Sequence, residues 1–429
     1  MNKPLFLGID FGTSGCRAIV IDDAATICAE ARVELSASMV IGNRVSQDPR
    51  VWETGLRSLF DQLRGQIMLK NIVALCIDGT SGSVLLCDAT GTPLTPALMY
   101  NDADNADAAE RIRTLAPDQS GAHGRSSGLA KLISLQTMTD SPNAIALNQA
   151  DWLSGVCRGD FLISDENNAL KMGYDPVARN WPQWIGELLD LEKIQLPVVL
   201  TPGSFTGRVC AEFAQRSGLS TTTAVIAGTT DSIAAFLATG VDNVGDAVTT
   251  LGSTLVLKIL CEEPVFAPEF GVYSHRLGAY WLAGGASNAG CAVFKQFFTQ
   301  KQIDDMSAQL NPQQSTGLDY YPLLRKGERF PIADPDLAPQ LEPRPSSDVS
   351  FFQGMLEGLA TIEQQAYEKL HEMGAPYPRR VLTSGGGSVN DAWTQIRQTK
   401  LRTTVERAQQ TEAAYGSALL AHAAIQQQE

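Results

Sequence analysis

Leu5-Phe6-Leu7-Gly8-Ile9-Asp10-Phe11-Gly12-Thr13-Ser14-Gly15 decides how the rest of the chain is read. An apolar run reaches an aspartate, turns through two glycines and two hydroxyls, and leaves through Ala18-Ile19-Val20-Ile21. The pattern predicts strand, tight turn, strand. Gly12 and Gly15 let backbone N–H groups approach an anion closely. Thr13 and Ser14 can donate to phosphate oxygens, and Asp10 can hold Mg²⁺ directly or through water. Such a turn suits the phosphate tail of a nucleotide. Alone, it is also an ordinary hairpin.

The pattern recurs. Ala74-Leu75-Cys76-Ile77 leads into Asp78-Gly79-Thr80-Ser81-Gly82, and Ala224-Val225-Ile226-Ala227 into Gly228-Thr229-Thr230-Asp231-Ser232. Ala247-Val248-Thr249-Thr250 leads into Leu251-Gly252-Ser253-Thr254 and out through Leu255-Val256-Leu257. Arg380-Val381-Leu382-Thr383 runs into Ser384-Gly385-Gly386-Gly387-Ser388. Five such turns spread over both halves exceed what hairpin chemistry alone explains.

At 429 residues the chain is too long for one simple core, so two domains are expected. With 44% hydrophobic and 19% charged residues, it has the composition of an ordinary globular protein. No apolar run approaches ~18 residues, so no membrane span is expected. Met1-Asn2-Lys3-Pro4 enters strand-like sequence without the apolar core of a signal peptide, which points to the cytoplasm. The eight cysteines, at 16, 28, 76, 87, 157, 210, 261 and 291, form no C-x-x-C pair and read as small core residues in a reducing compartment. The four histidines lack metal-ligand spacing; His275 reads as a packing or hydrogen-bonding residue. A net charge of −14 argues against nucleic acid and anionic membranes as partners. A small anion remains admissible, because a nest of N–H groups and Mg²⁺ dominates its own site. The expected assembly is a monomer or small homo-oligomer.

Asp48 and Pro49 read as N-cap and first helical residue, with Trp52, Leu56, Leu59, Phe60 and Leu63 on one face. Residues 101–125 read as helix plus loop, and Gln149 starts another helix. Residues 311–347 carry seven prolines and read as a long ordered loop anchored by Tyr320, Tyr321, Leu323, Leu324, Phe330 and Ile332. Phe352, Met355, Leu356, Leu359, Ile362, Ala366, Leu370 and Met373 then recur at helical spacing as core packing. A small-residue helix from Ala413 to Ile425 closes the chain, with Gly416 and Ser417 suited to close approach to a strand. The tail 426–429 is expected to fray. The similar hairpins at 5–21 and 246–260 suggest a duplication, and hence two α/β domains with mixed five-stranded sheets.

A kinase needs anion-binding turns, a Mg²⁺ partner, and a carboxylate that accepts the acceptor's hydroxyl proton. This chain offers them, yet lacks the G-x-x-x-x-G-K-[ST] loop, a G-x-G-x-x-G after the first strand, and an H-R-D loop. Gly8-Ile9-Asp10-Phe11-Gly12-Thr13-Ser14, Ile77-Asp78-Gly79-Thr80-Ser81-Gly82, Gly228-Thr229-Thr230-Asp231, Leu251-Gly252-Ser253-Thr254 and Gly385-Gly386-Gly387 together resemble the ordered motifs of the FGGY carbohydrate kinases. The resemblance covers essentially the whole chain. It implies two ribonuclease H-like α/β domains of the actin/Hsp70/sugar kinase type with an intervening cleft, at 1–238 plus 412–429 and at 239–411. The chain looks closest to the compact ribulose/xylulose kinase-like branch of photosynthetic organisms, through Gly228–Leu237, Gly271–Leu277 and Gly317–Tyr321. That implies ATP-dependent phosphorylation of D-ribulose, with D-xylulose or another polyol or ketose as the alternative.

The resemblance also implies roles. Asp10 binds Mg²⁺. Thr13 and Ser14 meet the β- and γ-phosphates, and Gly15 and Cys16 line the sugar pocket. Asp78 and Ser81 face the sugar, and Asp231 is the catalytic base. Gly252, Ser253 and Thr254 form the second phosphate turn. Gly386, Gly387, Asn390 and Trp393 hold adenosine, with the Trp393 ring free to stack. Cys16 stands where a small residue such as Ala is usual, and Ile133-Ser134-Leu135 replaces an aromatic continuation after Leu132. Each assignment has a plainer rival: Asp78 as a turn cap, Trp393 as helix core, Asp231 as an N-cap, Lys131 as a structural lysine. Two other functions compete: an actin- or chaperone-like ATPase, and a sugar sensor without catalysis. The absence of a peptide-binding domain argues against the first. Intact Asp10, Thr13 and Asp231 argue against the second.

Overall fold

The computed structural model describes residues 3–427; Met1, Asn2 and the last two residues of the tail lie outside the described residues. The chain divides into two units. One comprises Met1–Ala238, Arg276–Gly278 and Gln410–Glu429, the other Thr239–His275 and Ala279–Gln409.

The first unit is built on strands β1 (Leu5–Phe11), β2 (Gly15–Ile21), β3 (Ile27–Glu34), β4 (Ile72–Gly79), β5 (Phe205–Arg208) and β6 (Ala224–Ile226), in the order β5-β6-β4-β1-β2-β3. β1 runs antiparallel to β2 and parallel to β4, which is itself parallel to β6. The period of two assigns the faces. Leu5, Leu7, Ile9 and Phe11 point to one core, with Leu75 and Ile77 beside them. Helix α1 (Arg50–Arg64) covers that face with Trp52, Leu56, Leu59, Phe60 and Leu63, all buried. Burial of side chains this size contributes about 1.5–3 kcal/mol each. α1 starts one residue later than its sequence signals suggest. Pro49 takes the cap position, and Asp48 Oδ1 accepts the Arg50 N–H at 3.0 Å.

The other face carries Phe6, Ala74, Cys76, Ala224 and Ile226 and is covered by the last helix, Ala413–Gln426, through Ala414, Ala418 and Ala421. Gly8 sits in that row. A Cβ there would lie 1.9 Å from the Ala414 carbonyl oxygen, so only glycine admits the helix. The sequence places both Gly416 and Ser417 against a strand; Ser417 does reach Asp78 on β4, whereas Gly416 faces a helix. Its missing Cβ makes room for the Ala234 carbonyl, 1.8 Å from where that atom would stand, in the short helix Asp231–Ala238.

The second unit repeats five strands of this order and differs in where its sixth is added. Its strands are β7 (Asp246–Leu251), β8 (Leu255–Cys261), β9 (Tyr273–Leu277, the last two residues of which are grouped with the first unit), β10 (Tyr280–Ser287), β11 (Arg380–Ser384) and β12 (Thr404–Arg407), arranged β9-β10-β8-β7-β11-β12. In both units a central strand has an antiparallel hairpin partner on one side and two parallel strands on the other. Each sheet has six strands, one more than the expected five. The first unit also holds a second six-stranded sheet of short strands between Met39 and Gln195, which the sequence reading did not foresee. The 25-residue helix Asp348–Glu372 buries its apolar stripe in the second unit's core. The preceding loop is anchored by Tyr320, Tyr321, Leu323 and Phe330, whereas Leu324 and Ile332 are exposed. Among the described residues no helix is long and apolar enough to cross a membrane.

Candidate functional site

In the first unit, strand alternation sets two carboxylates side by side. Asp10 continues the row Phe6-Gly8 and Asp78 the row Ala74-Cys76, and the two are register partners on parallel strands. Asp78 is fully buried, and its Oδ2 accepts the Ser417 hydroxyl of the C-terminal helix. Burial raises its pKa well above the carboxylate range, and the Asp10 charge raises it further. Burial also pushes Asp10 up to about 6. A hydrogen bond with Asp78 and the charge of Arg17 hold that rise down, while the Asp231 carboxylate adds to it. Arg17 is the cross-strand partner of Asp10 in the hairpin and is ion-paired with Glu412. Asp231, half-buried, is the first residue of the helix ending at Ala238, and its Oδ1 accepts the Ser232 N–H at 2.6 Å. Asp10 and Asp78, at the ends of adjacent strands, therefore both feel the charge of Asp231 at the start of a helix.

The turn after β1 closes through Gly12 N–H to the Gly15 carbonyl at 3.0 Å, leaving Thr13 half-buried and Ser14 exposed. Cys16 is a correction. It pairs with Phe11 across the hairpin and so shares the α1 face, opposite to Asp10; it is 2% exposed and packs near Gly55. Burial pushes its thiol up to about 12. Its side chain lies in the core shared with α1, whereas the sequence reading has it facing a sugar pocket. In the 79–83 turn, Thr80 Oγ1 donates to Gln149 Oε1 at 2.9 Å, and Gly82 has φ +85°. Lys131 supports this turn, donating to the carbonyls of Gly82, Tyr100 and Ser126 at 2.7, 3.2 and 2.9 Å. It is structural.

Asp10 Oδ1, Asp78 Oδ1, Ser81 Oγ and Thr230 Oγ1 are buried without a protein partner. Orphaned buried polar atoms are costly and call for one. Hydroxyls of a polyol, or a hydrated hard cation, supply what these mostly accepting atoms need. Among the described residues no set of three or more His, Cys, Asp or Glu forms a metal cage.

In the second unit, turns 251–254 and 385–388 border a cavity of about 340 Å³. Gly252, Ser253, Gly386, Gly387, Asn390 and Trp393 line it, while Thr254 does not. A Thr250–Ser384 hydroxyl contact at 2.8 Å links the strands that lead into the two turns, and the Cys291 N–H ties the first turn to the segment Cys291–Gln296 through the Gly252 carbonyl at 2.9 Å. Gly385, at φ +82°, brings the backbone against Leu251, where a Cβ would lie 2.6 Å from its carbonyl oxygen. Asn390 caps the helix Asp391–Leu401 by accepting the Trp393 N–H at 2.9 Å, and its Nδ2 donates to Ser307 Oγ at 3.0 Å.

Trp393 is a second correction. Its ring is 2% exposed, lies edge-on to Phe294, and donates Nε1–H to the Leu356 carbonyl at 3.1 Å. A Cβ on Gly387 would meet it at 2.6 Å. The ring forms the wall behind the glycine turn and offers no free face for stacking. The cavity also takes Lys295, Gln300, Asp304 and Ser307, which the sequence reading missed because they follow no glycine turn. Beneath both turns lies a buried pair: Arg397 donates to both Glu363 carboxylate oxygens and to Thr383 Oγ1 at 2.6–2.7 Å.

The models of the N-terminal and C-terminal domains of the FGGY family of carbohydrate kinases match residues 5–133 and 247–425. The chain is 25% identical over 413 residues to the xylulose kinase of Escherichia coli K12, covering 91% of this chain and 84% of that one. It superposes on the xylulose kinase of Rhodospirillum rubrum with a TM-score of 0.84 at 21% identity, covering 99% of this chain and 90% of the other. It matches Plasmodium falciparum glycerol kinase with ADP at the same TM-score, with 17% identity and coverages of 99% and 90%. The fold is the mixed α/β two-domain fold of sugar kinases.

Proposed function

We propose that this chain, which belongs to the FGGY family of carbohydrate kinases, transfers the γ-phosphoryl group of ATP to a hydroxyl of a ketopentose. D-Ribulose is the leading acceptor. D-Xylulose is the second reading, favoured by relatives that are named xylulose kinases. The observation that carries the proposal is the pairing of Asp10 and Asp78 at the ends of adjacent strands, with the charge of Asp231 at the start of the next helix acting on both and orphaned buried oxygens beside them.

Phosphoryl transfer asks little covalent chemistry of the protein and much positioning and charge compensation. Asp231 accepts the proton of the attacking hydroxyl. Asp10, ionised, holds the cation. Bound Mg²⁺ would neutralise charge developing on the phosphate oxygens. Thr13 Oγ1 and the N–H groups of Thr13 and Ser14 donate to phosphate oxygens. Asp78, kept neutral by burial, fixes Asp10 and presents its remaining oxygen to a sugar hydroxyl, with Ser81 beside it. In the second unit, the 340 Å³ cavity takes the adenosine moiety. Gly252, Ser253 and the Gly386–Gly387 backbone face the phosphates, and Asn390, Gln300 and Asp304 offer polar contacts to base and ribose.

The test is ADP release by the purified protein, with Mg-ATP and a panel of D-ribulose, D-xylulose, L-ribulose, gluconate and glycerol. Stimulation by a pentulose, with matching formation of a pentulose phosphate, supports the proposal. Stimulation by glycerol or gluconate alone overturns it.

A further inference from the structure

The turn that carries Asp231 is held from outside its own strand. β6 ends at Ile226, and Gly228-Thr229-Thr230 crosses to Asp231 with both threonines fully buried. On one side, Thr230 bridges Gly79 at the end of β4. On the other, two side-chain amides of the helical turn Glu166–Leu170 reach Thr229. Asn167 Nδ2 donates to Thr229 Oγ1 at 2.9 Å, and Asn168 Nδ2 donates to the Thr229 carbonyl at 3.2 Å. The amides are themselves braced. Asp165 Oδ1 accepts the N–H groups of Asn167 and Asn168 at 2.9 and 3.0 Å, and Oδ2 accepts Asn168 Nδ2 at 2.6 Å.

Asp165, Asn167 and Asn168 are each 1% exposed. Burying amides is unfavourable unless they are bonded, and Asn167 Oδ1 and Asn168 Oδ1 have no protein partner. An element needed only for packing would do better with apolar side chains. What this arrangement yields is a fixed location for Thr229, two residues before Asp231.

We infer that Asn167 and Asn168 are positioning residues for Asp231: their amides clamp Thr229 and so set where the carboxylate meets the acceptor hydroxyl. The inference rests on the reading of Asp231 as the base. A misplacement of about 1 Å costs on the order of 10²-fold in rate. Losing one of two clamps is expected to cost roughly 10-fold in kcat, with a smaller change in the sugar KM.

The experiment measures kcat and sugar KM for Asn167→Ala, Thr229→Val and Thr229→Ser, with Asn167→Ala also placed in an Asp231→Asn background. Thr229→Val keeps the volume but removes the Asn167 acceptor, and a melting curve for each variant reports folding. Asn167 Nδ2 also donates to the Arg276 carbonyl at 3.0 Å, so Asn167→Ala removes that bond besides the one to Thr229 Oγ1, whereas Thr229→Val removes only the latter. Thr229→Val should lower kcat roughly 10-fold and Asn167→Ala at least as much, and adding Thr229→Val to Asn167→Ala should cost little more, because the bond they share is already lost. Thr229→Ser should recover most of the loss seen in Thr229→Val. In the Asp231→Asn background, Asn167→Ala should change kcat less than about 2-fold, since the clamp acts through the missing base. An equal loss in both backgrounds, or an unchanged kcat in Asn167→Ala, overturns the inference while leaving Asp231 as base. An unchanged kcat in Asp231→Asn alone is the separate failure of the base reading, and the clamp falls with it.

Discussion

Replacing Arg397 by methionine removes the cation from a fully enclosed ion pair. The guanidinium gives Glu363 two hydrogen bonds and Thr383 one. Arg397 and Glu363 are 0% and 1% exposed. Without Arg397, the Glu363 carboxylate keeps only the Thr249 hydroxyl, at 2.6 Å, which is shared in turn with Tyr367 at 2.8 Å. A buried charge stripped of its partner costs about 3–5 kcal/mol. In a unit of this size, each kcal/mol lowers Tm by about 2–4 °C, so a fall of roughly 6–20 °C is expected. Differential scanning calorimetry with and without ADP identifies the transition, because a nucleotide-binding unit is raised by its ligand. Thr249 and Thr383 lie on the strands that enter the 252–254 and 385–388 turns, so the KM for ATP should rise as well. Removing both charges, Arg397→Met with Glu363→Leu, should recover much of the Tm, because a buried pair can give way to apolar side chains at little cost. A fall of less than about 3 °C in the single variant, or no recovery in the double, would refute the reasoning.

Gly416→Ala would drive a methyl to 1.8 Å from the Ala234 carbonyl. Overpacking of this kind costs about 1–3 kcal/mol or more, and since the helix it displaces begins at Asp231, both Tm and kcat should fall. Lys131→Met strands the Gly82, Tyr100 and Ser126 carbonyls, at about 1–3 kcal/mol for each group left unsatisfied. Thermal denaturation should show that loss while the KM for ATP stays put; a large rise in that KM with an unchanged Tm would make Lys131 a ligand after all. Asp10 takes up a proton as pH falls through about 6, which on the proposed reading of Asp10 as the cation's ligand weakens that binding. kcat/KM should therefore decline on the acid side of that value. Added Mg²⁺ should move the limb to lower pH, because cation and proton compete. A profile flat from about pH 5 to about 8 would contradict it.

Strand alternation made much of the first unit readable. The row Phe6-Gly8-Asp10 and its neighbour Ala74-Cys76-Asp78 share a face, so the adjacency of the two carboxylates follows from apolar spacing and a parallel pairing. The same rule, applied one turn further, would have turned Cys16 away from the site, since it pairs with Phe11. Trp393 was harder. Helical spacing places it near the glycine turn but does not say whether its ring faces the cavity or the core, and that depends on Phe294 and Leu356, distant in sequence. Gly416 announces close approach without naming the partner. The Asn167–Thr229 clamp spans 62 residues and leaves no local signature. Arg397 and Glu363 sit in helices where charged residues usually read as solvated, and only the packed structure shows them paired. The second sheet of the first unit was missed because its strands are two to five residues long, too short for a periodic signal.

The central claim is that Asp231 takes the proton from a pentulose hydroxyl as the γ-phosphoryl group leaves ATP. The direct measurement is ADP release with Mg-ATP, with and without saturating D-ribulose or D-xylulose, in the intact chain and in Asp231→Asn. The account predicts sugar-stimulated turnover in the intact chain, reduced by roughly 10²–10⁴-fold in kcat in the variant, with sugar affinity changed far less because the amide still reaches the hydroxyl. Equal sugar-stimulated rates in the two proteins would contradict it.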